Sequence, residues 1–141
     1  MALELDRGRR QIHRAAAAEV ILLDTNALIW LDQGHARARR LPAARHRLYI
    51  SPASLLELQF LAEAGRLRLR SAGMADLVER GPWLLDDPPA AGWFDAALGV
   101  GWTRDPFDRL LVAHAQLRGW RLATGDAALL AHLPERGRLE V

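Results

Sequence analysis

From position 20 onward, short apolar runs alternate with longer stretches in which apolar residues recur at helical spacing. Val20–Leu23 is uniformly apolar and fits a strand buried on both faces. Leu48–Ile50, Trp83–Leu85 and Trp120–Ala123 repeat that pattern, and Arg138–Val141 is a more polar candidate for a last strand. Helices are predicted over Asn26–Asp32, ended by Gly34, and over Ala36–Arg47, a basic amphipathic stretch interrupted near Pro42. A third helix opens at Ser51-Pro52, with Ser as cap and Pro at the first helical position, and runs to about Ala64 before Gly65. Met74–Glu79, closed by Gly81-Pro82, Ala90–Leu98, Pro106–Arg118, ended by Gly119, and Ala127–His132 complete the set. Strands alternating with helices predict the α/β class, an α/β/α sandwich around a central parallel sheet.

Residues 1–19 break the pattern. They carry Arg7, Arg9, Arg10, Arg14 and an Ala15–Ala18 tract with little apolar periodicity. The expected organisation is an N-terminal arm over 1–19, disordered or a start-site extension, and one domain over 20–141.

Against this frame, acids recur just beyond the apolar runs. Asp24 follows the first strand, Asp126 follows Trp120–Ala123 after Thr124-Gly125, and Glu57 lies in the second turn of the helix leaving the second strand. Open parallel sheets place their sites outside the carboxyl ends of the strands. Asp24, Asp126 and Asp105, which precedes Pro106, are each also well placed as helix N-caps. Glu57 and Asp108 are harder to explain locally. Glu57 lies about 200° around its helix from Gln59 and shares a stripe with Ser54, Phe60 and Leu61. Asp108 shares a face with Leu111, Val112 and Ala115. A carboxylate on an apolar face is costly unless it is paired or metal-bound. Pairing with Arg would explain each singly; a shared divalent cation explains both together.

Composition narrows the chemistry. The chain has 141 residues, 50% of them hydrophobic, and a net charge of +2. That suits one ordinary globular domain. With no Cys, disulfides, thiolate metal sites and cysteine nucleophiles are excluded. No apolar run approaches the ~20 residues of a membrane span, and no secretory signal opens the chain, so a cytoplasmic location is expected. Every basic residue is Arg, clustered at Arg37, Arg39, Arg40, Arg45 and Arg47 and again at Arg66, Arg68 and Arg70. These read either as solvated helix faces or as phosphate contacts, for which the planar guanidinium is suited. Arg104 and Arg109 flank the acids and read either as phosphate contacts or as local ion pairs. Thr25 and Asn26 are candidates to cap the first helix or hold Asp24, and Thr124 to orient Asp126. His114 reads as a hydrogen-bonded core histidine, and the five Trp as core or interface.

Four segments in this order resemble the PIN-domain ribonucleases, and within them the VapC-type toxins of bacterial toxin–antitoxin pairs. They are Ile21-Leu22-Leu23-Asp24-Thr25-Asn26-Ala27-Leu28-Ile29-Trp30, Ser51-Pro52-Ala53-Ser54-Leu55-Leu56-Glu57-Leu58, Arg104-Asp105-Pro106-Phe107-Asp108-Arg109-Leu110-Leu111-Val112-Ala113 and Leu122-Ala123-Thr124-Gly125-Asp126. The resemblance spans Val20 to Val141. It implies an endoribonuclease in which Asp24, Glu57, Asp108 and Asp126 hold one or two Mg²⁺ or Mn²⁺ ions, with Asp105 as an additional acid. It further implies products with a 5′ phosphate and a free 3′ hydroxyl, a small antitoxin partner and a homodimer. The chain departs from the family at Gly125 and Thr103, where a basic residue and a His are common. The alternative is a PIN-fold module that binds RNA or protein without cutting. A haloacid-dehalogenase-type phosphohydrolase would need a second Asp where Asn26 stands.

Overall fold

The structure, a computed structural model, describes residues 20–41 and 47–141. The expected arm over 1–19 and the break near Pro42 lie outside the described residues.

The chain runs β1 (Val20–Leu23), α1 (Thr25–Asp32), a 3-10 turn (Ala36–Arg40), β2 (Arg47–Ile50), α2 (Pro52–Glu63), α3 (Met74–Arg80) and β3 (Trp83–Leu85). It continues through α4 (Ala90–Leu98), α5 (Pro106–Arg118), β4 (Arg121–Thr124), α6 (Ala127–His132), a second 3-10 turn (Glu135–Gly137) and β5 (Arg138–Glu140). The five strands form one sheet in the order β3-β2-β1-β4-β5, parallel at every pairing. β1 is central, and its neighbours are β2 and β4, so the chain reverses its direction of growth across the sheet after β3. Such a reversal opens a crevice at the carboxyl edge beside the central strand.

Alternation along β1 divides the core. Ile21 and Leu23 face one layer with Leu28 of α1, Leu58 of α2 and Leu77 of α3. Leu22 faces the other with Trp93 of α4, Val112 of α5 and Leu129 of α6. The uniformly apolar sequence of β1 is the consequence, since both faces are covered. This is the expected α/β sandwich.

Local chemistry explains most element ends. The Ser51 hydroxyl accepts from Ala53 N at 3.2 Å, capping α2 ahead of Pro52. Gly119 ends α5 in the left-handed region at φ 70, where a side chain is strained. Among the described residues the predicted helix over Ala36–Arg47 is replaced. Residues 36–40 make a 3-10 turn in which only Ala38 is buried, and Arg47 opens β2. The Arg residues supplied helical polarity there without an apolar face to pack.

Candidate active site

The carboxyl edge of the sheet gathers acids from four separate parts of the chain. A cleft of about 260 Å³ is lined by Asp24, Glu57, Asp105, Asp108 and Asp126, together with Thr25, Asn26, Arg66, Leu61, Leu111 and Leu129. All five acids singled out in the sequence thus border one opening, and so do Thr25 and Asn26.

Each acid is set by its element. Asp24 leaves β1 with its N–H still in the sheet ladder, donating to the Ala123 carbonyl at 3.0 Å. Its Oδ1 accepts from Ala27 N at 2.7 Å and so caps α1. Asp126 caps α6 through Ala128 N and Leu129 N, at 2.9 and 3.0 Å. Asp105 caps α5 through Phe107 N and Asp108 N, at 2.8 and 3.2 Å. The capping readings therefore hold, yet each cap also faces the cleft. A carboxylate has two oxygens and about four lone-pair sites, and capping occupies only Oδ1 in all three. Glu57 and Asp108 cap nothing. Both are half-buried, although Phe60, expected beside Glu57 on an apolar face, is 52% exposed.

The electrostatics are those of crowded, under-compensated acids. Burial pushes Asp24 up to about 6; bonds from the Thr124 hydroxyl and Ala27 N–H oppose this, and the Glu57 and Asp126 charges add to it. Asp108 rises to about 7, from burial first and then from the charges of Asp105, Asp126, Glu57 and Asp24. Glu57 is also raised, by burial and by Asp105, against the lowering influence of the nearby Thr25 hydroxyl. Arg66, just beyond α2, is the one basic residue lining the cleft among the described residues. Sequence reasoning placed it in a basic cluster and missed this position; its spacing from Glu57 carries no signal, because the chain turns at Gly65 between them.

Thr124 holds two acids at once. Its hydroxyl is fully buried, bonds to Asp24, and accepts from Asp126 N at 3.0 Å. Thr25 instead donates to Ser54 Oγ at 3.1 Å and neighbours Glu57 rather than Asp24. The Arg candidates divide. Arg37, Arg39, Arg40 and Arg104 are exposed and Arg109 is half-buried; Arg109 Nε donates to the Thr103 carbonyl at 2.6 Å and Arg37 Nη2 to the Val141 carbonyl at 3.0 Å. The last two are spent on main chain.

Oxygen donors with raised pKa values, converging on one cleft with a single guanidinium among the described residues, suit a hard divalent cation that would relieve their repulsion. Among the described residues no three acids or histidines already stand close enough together to enclose an ion. The donor chemistry fits a metal; closing around one would require movement of the side chains.

His114 is the core histidine expected. It is wholly buried, with Nε2 2.7 Å from Asp86 Oδ2 and Nδ1 2.9 Å from Ser51 Oγ. Since Ser51 already accepts from Ala53 N, its hydroxyl proton is free for Nδ1, leaving the ring proton on Nε2 facing Asp86. Burial lowers the pKa of the ring despite Asp86.

The PIN domain family profile matches residues 21–135. Ribonuclease VapC22 of Mycobacterium tuberculosis is 30% identical over 121 residues, covering 79% of this chain and 91% of that protein. A toxin–antitoxin complex from Klebsiella pneumoniae contains a chain of similar fold, with TM-score 0.63 and 19% identity over 84% of this chain and 95% of that one. VapBC2 from Rickettsia felis, bound to a DNA fragment from its promoter, gives TM-score 0.60 and 16% identity over 86% and 98%.

Proposed function

The chain belongs to the PIN-domain family, and on that premise we propose that it is a VapC-type endoribonuclease, the toxin of a toxin–antitoxin pair, with the domain spanning 20–141. The observation that carries the reading is the acidic cleft, where Asp24, Glu57, Asp108 and Asp126 converge from four elements without matching cations. We assign these four as catalytic residues and ligands of Mg²⁺ or Mn²⁺, with Asp105 as a cap that lends negative charge.

When bound, the metal would activate a water and offset charge on the phosphodiester. The protein's own part is positional. β1 and the Thr124 hydroxyl hold Asp24, α6 holds Asp126 by its cap, and α2 and α5 present Glu57 and Asp108 across the opening. Arg66 offers a guanidinium at the rim for the RNA backbone, and Arg39, Arg40 and Arg104 offer exposed charge farther out. No side-chain nucleophile is needed, and among the described residues none lines the cleft apart from hydroxyls and carboxylates.

An antitoxin is the partner we propose, because structural neighbours are toxin–antitoxin complexes and an inserted Arg would satisfy the crowded acids. A homodimer is supported by outward apolar pairs one turn apart, Leu56 with Phe60 on α2 and Phe94 with Leu98 on α4. Among the described residues no helix is long and apolar enough to cross a membrane.

The test is cleavage of a labelled RNA with Mg²⁺, Mn²⁺ or chelator, beside Asp24→Asn and Glu57→Gln. Metal-dependent cuts lost in both variants are expected; full activity in either would remove the assignment. An inactive wild type that still binds RNA would instead favour the non-cutting module.

A further inference from the structure

Gly125 separates Thr124 from Asp126, and its surroundings are crowded by parts of the chain remote in sequence. A β-carbon at Gly125 would stand 2.5 Å from Arg37 Nη2, 2.8 Å from the Trp30 ring and 3.0 Å from the Val141 carbonyl oxygen. The guanidinium of Arg37 therefore fills the space where a side chain at 125 would begin. It is held there from two sides: its Cζ lies 4.1 Å from the centroid of the Trp30 ring, and Nη2 donates to the Val141 carbonyl at 3.0 Å. Val141 N in turn donates to the Thr124 carbonyl at 3.1 Å. Thr124 carries the hydroxyl that bonds Asp24 and accepts from Asp126 N.

We infer that Arg37 is a positioning residue for the reaction, a guanidinium peg that clamps the Thr124-Gly125-Asp126 turn between Trp30 and Val141 and so sets Asp126 against Asp24. The residue is exposed as a whole, but its guanidinium engages an aromatic face and a carbonyl, and it does not line the cleft. Trp30 lies in the last turn of the helix whose first turn Asp24 caps, so the peg ties both ends of α1 to the same turn. A planar cation is required for this. Lysine would keep the charge, but it lacks the flat face that stacks on Trp30 and the fork that reaches Val141 in the same pose. The preference for glycine at 125 is one of space, since a β-carbon there would displace the peg.

This inference rests on Asp126 acting in catalysis, so its test includes a readout independent of cleavage. Arg37→Ala, Arg37→Lys and Gly125→Ala are compared for steady-state RNA cleavage and for hydrogen exchange at the amides of Asp126 and Val141. All three are expected to lower kcat by about tenfold, as small displacements of catalytic groups do, with KM within about twofold. Both amides lose protection while the β1 amides keep theirs, which separates a local loosening from general unfolding. The Arg37→Ala, Gly125→Ala double variant is expected to be no worse than either single one. A wild-type kcat in Arg37→Lys, or a rise in KM alone in Arg37→Ala, would make Arg37 an RNA contact and overturn the proposal. Unchanged protection at both amides would overturn it as well. If Asp126→Asn cleaves normally, the catalytic reading fails, and the exchange data still decide whether the clamp exists.

Discussion

Asp24 and Asp86 occupy equivalent places and meet opposite fates. Each directly follows a parallel strand, and each donates its N–H at 3.0 Å to a carbonyl at the end of the neighbouring strand, Ala123 for Asp24 and Ile50 for Asp86. Asp86 is then enclosed by donors. Arg118 grips it with Nε at 2.8 Å and Nη2 at 3.1 Å, and His114 adds Nε2 at 2.7 Å. Burial pushes Asp86 up, but those bonds and the Arg118 charge outweigh it and hold the group below its usual range. Asp24 receives one main-chain N–H and one hydroxyl, faces Glu57 and Asp126, and rises to about 6. The first acid is satisfied by the fold; the second is left for something the fold does not contain. That contrast separates a structural carboxylate from the one proposed to be functional more sharply than sequence position does.

The comparison breaks most plainly at the cleft. Asp24→Asn keeps a competent cap but removes the charge, so cleavage is expected to fall by on the order of 10²–10³-fold or more. Thermal denaturation in chelator should meanwhile show no loss of stability. A large drop in Tm would mean that Asp24 is structural like Asp86. The converse variant, Asp86→Ala, strips partners from His114 and Arg118. It is expected to cost roughly 2 kcal/mol and several degrees in Tm, with cleavage per folded molecule unchanged.

The pH dependence sharpens the same contrast. A carboxyl whose folded value is raised contributes stability below its ordinary value of 3.8 and loses it as pH rises through the folded value, about 6 for Asp24 and about 7 for Asp108. For Asp24 the shift corresponds to on the order of 3 kcal/mol. Asp86 has the opposite sign: its contribution is present above the ordinary carboxylate value and disappears as pH falls through its lowered one. His114, lowered by burial, likewise loses stability as pH drops below its ordinary 6.5. Divalent metal relieves only the cleft acids. The difference in Tm between Mg²⁺ and chelator is therefore expected to grow from pH 5 to pH 8, and a flat difference would remove the link between those acids and the metal. The smallest expected effect belongs to Arg66→Ala, a rise of about three- to tenfold in KM with little change in kcat and a shallower salt dependence, read from cleavage rates at several ionic strengths.

Most of the fold was legible because its boundaries are written in local chemistry. Ser51-Pro52 announces α2, Asp105-Pro106 announces α5, and Gly119 ends it, each through contacts within a few residues. The stretch from Ala36 failed because charge alternation imitates an amphipathic helix when no apolar stripe is there to bury. The acids were legible as a set, since strand ends in a parallel sheet share an edge. Their supporting partners were not. Thr124 bonding Asp24, Arg37 reaching Val141, and the bonds from His114 to Ser51 and Asp86 all join residues far apart in the chain. No spacing rule connects such residues before the sheet order is known. Arg66 was hidden for a related reason, because a chain reversal rather than a helical face brings it to the rim.

The strand order β3-β2-β1-β4-β5 also imposes a schedule on the newly made chain. β1 emerges first from the ribosome and can pair with β2 early, but its other edge stays bare until β4 has been translated. Only then do Ala123 and Thr124 reach Asp24, and only then does Asp126 exist at all. Half-made copies therefore carry Asp24 and Glu57 without the strand and the turn that complete the cleft around them.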